Sequence, residues 1–295
     1  FLDGQMTEAA EMVFANNPLS VICSLVCDHE KQCEGHCIKG IKGEPVHISS
    51  IENYISDTCF DKMKLEKKPW NGGRIGVVGA GPAGITIAIL MACRGYRVTI
   101  FEVREKIGGI LRYGIPEFRL PKSILDRYDK KMKELGIRFR PNFALGGSTG
   151  VHDLLEDGYN AVFIGTGTWR PYRLNIPGET FGNVHYGINY LNNPDVYDLG
   201  DRVVVIGAGN AAMDVARTAI RKGSRYVTVY SVTEVPAASP KEVEYARIDG
   251  VEFEFLQTAS RITDDGVMIC DVEWDENGQM VKHEETERFV PADSI

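Results

Sequence analysis

Arg74-Ile-Gly-Val-Val-Gly79-Ala-Gly81-Pro82-Ala83-Gly84 is a short apolar run that breaks into a glycine turn and continues into a helix. The spacing Gly79-x-Gly81-x-x-Gly84 is the one a dinucleotide-binding βαβ unit needs. The first glycine permits the tight turn. The second lets a pyrophosphate approach the main chain, and the third lets the helix pack close to the sheet. Diphosphate oxygens then meet free N–H groups at the positive end of the helix. Outward from the turn, Pro82 to Arg94 suits a helix, Gly95 punctuates, and Arg97-Val-Thr-Ile-Phe101 predicts the next strand. Glu102 closes that strand, where an acid accepts hydrogen bonds from a ribose diol.

The pattern then recurs. Arg202-Val-Val-Val-Ile-Gly207-Ala-Gly209-Asn210-Ala211-Ala212 aligns with the first copy, and Lys222-Gly223-Ser224-Arg225 aligns with Arg94-Gly95-Tyr96-Arg97. The second copy keeps the two phosphate-proximal glycines and has Ala212 as its packing residue, a permitted variant. Its strand, Tyr226 to Tyr230, leads to Ser231 in the place of Glu102. No acid stands there for a 2′-hydroxyl and no Arg follows for a 2′-phosphate, which leaves NAD and NADP open. Two dinucleotide sites of different character point to a flavin on one and a nicotinamide on the other, with hydride passing between them. That step needs no general acid or base, so no catalytic residue is assigned.

Between the copies the pattern predicts an amphipathic helix over Leu120–Leu135, a strand near Ile137–Arg140 and a helix near Val151–Glu156. A buried strand, Ala161–Ile164, is closed by Gly165-Thr166-Gly167. Residues 1 to about 68 read as helical, with one helix around Thr7–Val13 stopped by Asn16-Asn17-Pro18 and another over Ser49–Met63. The charged run Lys64–Pro69 predicts a solvated linker. The expected fold class is α/β: two Rossmann-like domains preceded by a small helical domain, with boundaries at 1–68, 69–185 and 186–295.

A length of 295 residues, with 43% hydrophobic and 25% charged, fits about two globular domains. Lys+Arg of 33 against Asp+Glu of 41 gives −8, which argues against a nucleic-acid partner. Ile75 to Cys93 lacks charge over a length that could span a bilayer. Gly76, Gly79, Gly81, Pro82 and Gly84 in its first half instead predict strand, turn and buried helix, and no membrane association. No signal peptide follows Phe1, so a cytoplasmic location is expected, and the absent initiator Met hints at a trimmed chain.

Four cysteines cluster as Cys23-x3-Cys27-x5-Cys33-x3-Cys37. Disulfides need an oxidising compartment. Zinc and an iron–sulfur cluster both accept such spacing, and the redox architecture beside it favours iron.

The cysteine run with Glu34-Gly35, the later Ile51-Glu52-x-Tyr54, and the segment Gly108-Gly109-Ile-Leu111-Arg-Tyr-Gly-Ile-Pro-Glu-Phe-Arg119-Leu-Pro121 resemble the small subunit of NADPH-dependent glutamate synthase. Its relatives include the amino-terminal half of dihydropyrimidine dehydrogenase and the flavin subunits of ferredoxin:NADP oxidoreductases. The resemblance covers essentially the whole chain. It implies FAD on the first unit, NAD(P)H on the second and [4Fe-4S] clusters in the helical domain, with electrons leaving to a redox partner subunit or domain.

By position, the resemblance gives the ADP half of FAD to Gly79, Gly81, Pro82, Ala83, Gly84 and Glu102, and its flavin half to Gly109, Leu111 and Arg119. Thr166 and Gly167 match the turn where the chain leaves the flavin domain. Gly207, Gly209, Asn210 and Ala211 would face the nicotinamide dinucleotide. Cys27, Cys33 and Glu52 would serve one cluster together with an upstream cysteine, and Cys37 a second, while Cys23 is a bystander. The family's upstream cysteine motif falls before Phe1, and its closing flavin strand falls after Ile295, so the chain reads as a fragment. Where the family carries Tyr-Arg-Arg for the 2′-phosphate, this chain has Tyr230-Ser231-Val232. The alternative reading is an FAD-binding scaffold without nicotinamide, and a zinc-stabilised binding module is a third.

Overall fold

The computed structural model describes residues 4–295. They divide into two compact units between Thr168 and Trp169.

In the first unit, β1 (Arg74–Val78), β2 (Arg97–Phe101), β3 (Arg138–Arg140) and β4 (Ala161–Ile164) form a parallel sheet in the order β3-β2-β1-β4. The helix α4 (Pro82–Cys93) crosses from β1 to β2 and buries Ile85, Ala88, Ile89 and Ala92. The uncharged run of Ile75–Cys93 is therefore a core strand, a turn and a core helix. Among the described residues no single helix is long and apolar enough to cross a membrane. A short helix α5 (Ile110–Tyr113) and the amphipathic α6 (Lys122–Glu134) precede β3, and α7 (Val151–Glu156) precedes β4.

The segment Ala161–Ile164 differs from expectation. It is the outer strand of the sheet, paired only with β1, so Ala161 and Ile164 are exposed rather than buried.

Three helices, α1 (Met6–Asn16), α2 (Ser20–Val26) and α3 (Ile48–Cys59), make up the amino-terminal segment. α1 and α2 share their core with the sheet unit, and α3 buries Ile55 and Cys59 against Ala10 of α1. Phe14, Leu19, Val21, Ile22, Phe60 and Met63 join the buried cluster of α4 and α6. The Phe60 and Tyr128 ring centroids are 4.6 Å apart. Buried Lys131 donates from Nζ to the Met63 carbonyl at 2.9 Å, and Arg127 bridges to Asp57 and Asp61.

In the second unit, α8 (Gly187–Asn192) leads to β5 (Arg202–Ile206), α9 (Asn210–Arg221), β6 (Tyr226–Ser231), α10 (Pro240–Asp249) and β7 (Glu252–Phe255). The parallel order is β5-β6-β7, and Ser294 forms a parallel bridge to Val203 on the free side of β5. Ser294 thus takes the place that β4 holds beside β1. An antiparallel sheet, β8 (Gln257–Thr263), β9 (Gly266–Trp274) and β10 (Met280–Pro291), lies between β7 and the carboxyl end in the chain. Residues 169–185 group with this unit, ahead of the expected boundary at 186, because they bond to its sheet. The Ile262 N–H donates to the Pro177 carbonyl, and the Asn183 side chain donates to that of Thr263.

Candidate functional site

At the carboxyl end of β1, Gly79 turns with φ +99°. A Cβ there would lie 2.4 Å from the Gly165 carbonyl oxygen, so the β4 exit and the glycine turn are in backbone contact. A Cβ on Gly84 would lie 1.9 Å from the Gly79 carbonyl oxygen, which is the close helix-to-turn packing that reserves the third glycine. Gly109 has φ +52°, and its Cβ would lie 2.7 Å from the Gly81 Cα. The second fingerprint glycine and the Gly108–Pro121 segment therefore face one another, main chain to main chain. The Gly108 N–H also donates to the Ala80 carbonyl at 2.8 Å.

Glu102 is buried at the tip of β2. Its Oε2 accepts the Ala80 N–H at 2.6 Å, and its Oε1 accepts the Arg104 N–H at 2.9 Å. The carboxylate is thereby fixed against the glycine turn, with lone pairs left on both oxygens. No side chain caps α4 at Gly81, so its first turn presents uncapped N–H groups.

The flavin-half candidates are placed unevenly. Gly109 lines the turn, Arg119 is half-buried, and Thr166 and Gly167 sit exposed after β4. The Leu111 side chain is only 5% exposed and belongs to the core, so Leu111 can meet a ligand only by its main chain. One supporting residue was not anticipated. Lys122 Nζ donates to the carbonyls of Leu111, Ile115 and Leu120, which pins the segment carrying Gly109 and Arg119. The sequence signal available was a lysine directly after a Pro-terminated loop, which does not reveal such a tie.

The second turn has the same bend but more room. Gly207 has φ +104°, and a Cβ on Gly207 or Gly209 would meet nothing within 4 Å. α9 begins at Gly209 without a side-chain cap. That open cradle beside uncapped N–H groups fits a diphosphate. Asn210 Oδ1 accepts the Ser239 N–H at 2.9 Å, and the Ala238 N–H donates to the Ala208 carbonyl, so the loop before α10 is tied to the turn. Ala211 is exposed at the start of α9. Buried Ser231 is engaged locally: its Oγ lies 3.1 Å from Thr233 Oγ1 and accepts the Thr233 N–H.

The cysteine segment is looser. Cys27 and Cys33 are exposed. Burial pushes the Cys23 and Cys27 thiols up. Main-chain donors, Val46 foremost, hold Cys37 below the usual thiol value. Glu52 Oε1 accepts the Asn17 side chain at 3.2 Å, and His29 Nδ1 lies 3.4 Å from Cys33 Sγ. No three His, Cys, Asp or Glu side chains among the described residues are grouped to hold a metal. Cys27, Cys33, Cys37 and Glu52 thus do not form a cluster site by themselves.

Comparison with known proteins identifies the family and the fold. Residues 2–64 match the model of dihydropyrimidine dehydrogenase domain II, 4Fe-4S cluster. Residues 77–123 match the NAD(P)-binding Rossmann-like domain, and residues 147–295 match pyridine nucleotide-disulphide oxidoreductase. The NADPH-type glutamate synthase small chain of Halomonas elongata is 36% identical, over 99% of this chain and 68% of its own length. The chain belongs to the glutamate synthase small-chain family.

Membership places it in a class of flavin-dependent oxidoreductases that use a nicotinamide dinucleotide and carry a 4Fe-4S-type segment. The family's Escherichia coli small chain is 34% identical over 86% of this chain, which spans 57% of that relative. A point mutant of FprA from Mycobacterium tuberculosis matches with a TM-score of 0.65 and 20% identity, over 77% of this chain and 70% of that one, which shows the shared fold.

Proposed function

We propose that the chain holds FAD on the Gly79–Gly84 turn and a nicotinamide dinucleotide on the Gly207–Ala212 turn, as the reducing half of an electron-transfer enzyme. FAD held there would supply a hydride acceptor for NAD(P)H and an outlet for single electrons. The chain's own residues bind and orient. Glu102 receives the adenosine ribose, while Gly81, Pro82, Ala83, Gly84 and Gly109 border the diphosphate. Thr166 and Gly167 bound the flavin side with Arg119. Gly207, Gly209, Asn210 and Ala211 receive the second diphosphate.

The observation that carries this reading is the buried Glu102 carboxylate, clamped by the Ala80 N–H against a glycine turn that opens an uncapped helix. By resemblance to the family, Cys27, Cys33 and Glu52 serve one [4Fe-4S] cluster together with an upstream cysteine and Cys37 serves a second, and the electron acceptor is a partner subunit or domain in the cytoplasm.

The test is anaerobic titration of the purified protein. Flavin absorbance bleached by NADH or NADPH is the expected result. A preparation that neither contains nor takes up FAD sinks the reading, and flavin that bleaches with neither nucleotide makes the protein a scaffold.

A further inference from the structure

The amino ends of the first unit's strands carry a second polar site, a strand's length, roughly 15 Å, from the glycine turn. Arg74 opens β1, Arg97 opens β2 and Arg138 opens β3. The register pairs Arg74 with Arg97 and Thr99 with Arg138. Because Arg97 and Thr99 are two residues apart on one strand, all four side chains start from the same face of the sheet. A cavity of about 520 Å³ opens there, lined by these four together with Lys67 and Gly136. Its size is that of a small-molecule site.

Lys67, Arg74 and Arg97 are held in place but not neutralised, and Arg138 is exposed. The Arg97 guanidinium lies 3.8 Å from the centroid of the Trp70 ring, and that of Arg74 lies 4.3 Å from the centroid of Tyr159. Arg74 also donates to the Asp157 carbonyl, and Lys67 Nζ to that of Leu135. Among the described residues no carboxylate is within ion-pair distance of Lys67, Arg74, Arg97 or Arg138.

The internal repeat supplies a control. Arg202 opens β5 as Arg74 opens β1, yet Asp293 takes its guanidinium at 2.7 Å and its main-chain N–H at 2.8 Å. In register β6 opens with Tyr226 where β2 opens with Arg97, and Arg225, just before the strand, pairs with Asp201. The second unit neutralises the arginines it carries at these strand starts, and the first leaves its own bare. Thr99 adds a separate pointer to a ligand. It is only 7% exposed and lines the cavity, which places a hydroxyl donor among the cations.

We propose that this cavity binds a small molecule bearing two or more phosphate groups. Guanidinium forks with faces stacked on aromatic rings present their N–H edges in the geometry that phosphate oxygens accept. A chain of net charge −8 that gathers four uncompensated cations in one cavity pays in like-charge repulsion, which a polyanion removes.

The test is calorimetric titration of the FAD-saturated full-length protein, with NAD(P)H present to occupy the second turn. Pyrophosphate is the probe, with ADP and citrate as further arms. Pyrophosphate should bind, more weakly as salt rises. The double variant Arg97→Gln/Arg138→Gln, which alters exposed side chains, should weaken binding at least about tenfold, or roughly 1.4 kcal/mol. Arg202→Gln should leave it unchanged. Where the double variant unfolds, Arg138→Gln alone serves, with the thermal transition as the folding check. ADP binding more tightly than pyrophosphate identifies a nucleotide as the source; equal or weaker binding identifies an inorganic one. Absence of pyrophosphate binding, binding indifferent to Arg97 and Arg138, or citrate binding as tightly would overturn the proposal.

Discussion

At the scale of single residues, the two turns separate packing from binding. Gly84 has no room for a Cβ, with the Gly79 carbonyl oxygen 1.9 Å away, whereas Gly209 has nothing within 4 Å. Gly84→Ala should therefore destabilise the first unit by several kcal/mol, on the scale of overpacking or more, and lose FAD with it. Gly209→Ala should leave the thermal transition in place and weaken the nicotinamide dinucleotide at least about tenfold, because the methyl fills space meant for diphosphate. Melting curves alongside nucleotide titrations distinguish the two; a Gly209→Ala protein that binds normally would remove the diphosphate from that turn.

Cofactor choice also belongs here. From Ser231 to Ser239 the chain offers no Lys or Arg to a 2′-phosphate. Trp274 Nε1 donates to the Val232 carbonyl at 2.8 Å, so the main chain at that point is fixed. Val232→Arg should favour NADPH over NADH by about 1.5–3 kcal/mol, the scale of a charge-assisted bond. The ratio of the two Kd values measures it, and an unchanged ratio places the 2′-position elsewhere.

At the scale of elements, α9 and α10 are joined by buried charge. Arg217 donates to Glu242 and to Asp249, each at 2.9 Å, and Arg221 reaches Asp249 as well. Burial would raise Asp249, but the hydrogen bonds from Arg217 and Arg221 outweigh it and hold the carboxyl below its usual value. A depressed carboxyl contributes fully above its unfolded value, about 4, and the contribution is lost only as pH falls through the depressed folded value. Between pH 7 and 5 this network should leave wild-type stability flat. Arg217→Met leaves Asp249 with Arg221 alone and removes the 2.9 Å partner of Glu242, and should cost about 1.5–3 kcal/mol at pH 7, the scale of a charge-assisted bond. The variant should regain part of that loss as pH falls, since like charges raise carboxyl values and protonation relieves them. Urea midpoints at several pH values test the sign, and a pH-independent loss would refute the electrostatic account.

Elements whose pattern is local were legible in the sequence. β1, β2, β4 and α4 run apolar between glycines, and α9 follows from the repeat of the glycine turn before it, so their positions can be read from local pattern alone. β10 is different. Lys282, Glu284, Glu285, Glu287 and Arg288 read as a solvated charge run, and the strand exists because β9 pairs with it across a bulge between His283 and Arg288. α10 was also missed: its cap is Ser239 Oγ accepting the Glu242 N–H, a pattern that Pro240 disguises as loop. In the site, Glu102 and the glycines could be read because strand length fixes where they end. Convergence of Cys27, Cys33, Cys37 and Glu52 could not, because spacing along a chain does not set distance in space. Nor could the edge position of β4, which is a property of sheet order rather than of four apolar residues.

At the scale of the whole molecule, the grouping of contacts makes a thermodynamic statement. Phe14 of α1, Val21 and Ile22 of α2, and Phe60 and Met63 beyond α3 share a buried cluster with α4 and α6, while α3 packs Ile55 and Cys59 on Ala10 of α1, so the three helices should melt with the first unit rather than as a separate domain. The second unit has its own core around β5, β6, α9 and α10. Calorimetry of this chain should therefore resolve two transitions. A ligand that binds only the folded form stabilises it by about 2.7 kcal/mol at a hundredfold excess over Kd. For units of this size that is a shift of roughly 6–10 °C. FAD should move one transition and a nicotinamide dinucleotide the other, and pyrophosphate should move the one FAD moves. If one ligand moved both transitions equally, or if the nicotinamide dinucleotide moved the FAD-linked transition, the assignment of one cofactor to each glycine turn would fail. A third transition insensitive to FAD would instead separate the cysteine-bearing helices from the sheet they pack against, contrary to the Phe60–Tyr128 contact and the Lys131 bond to Met63.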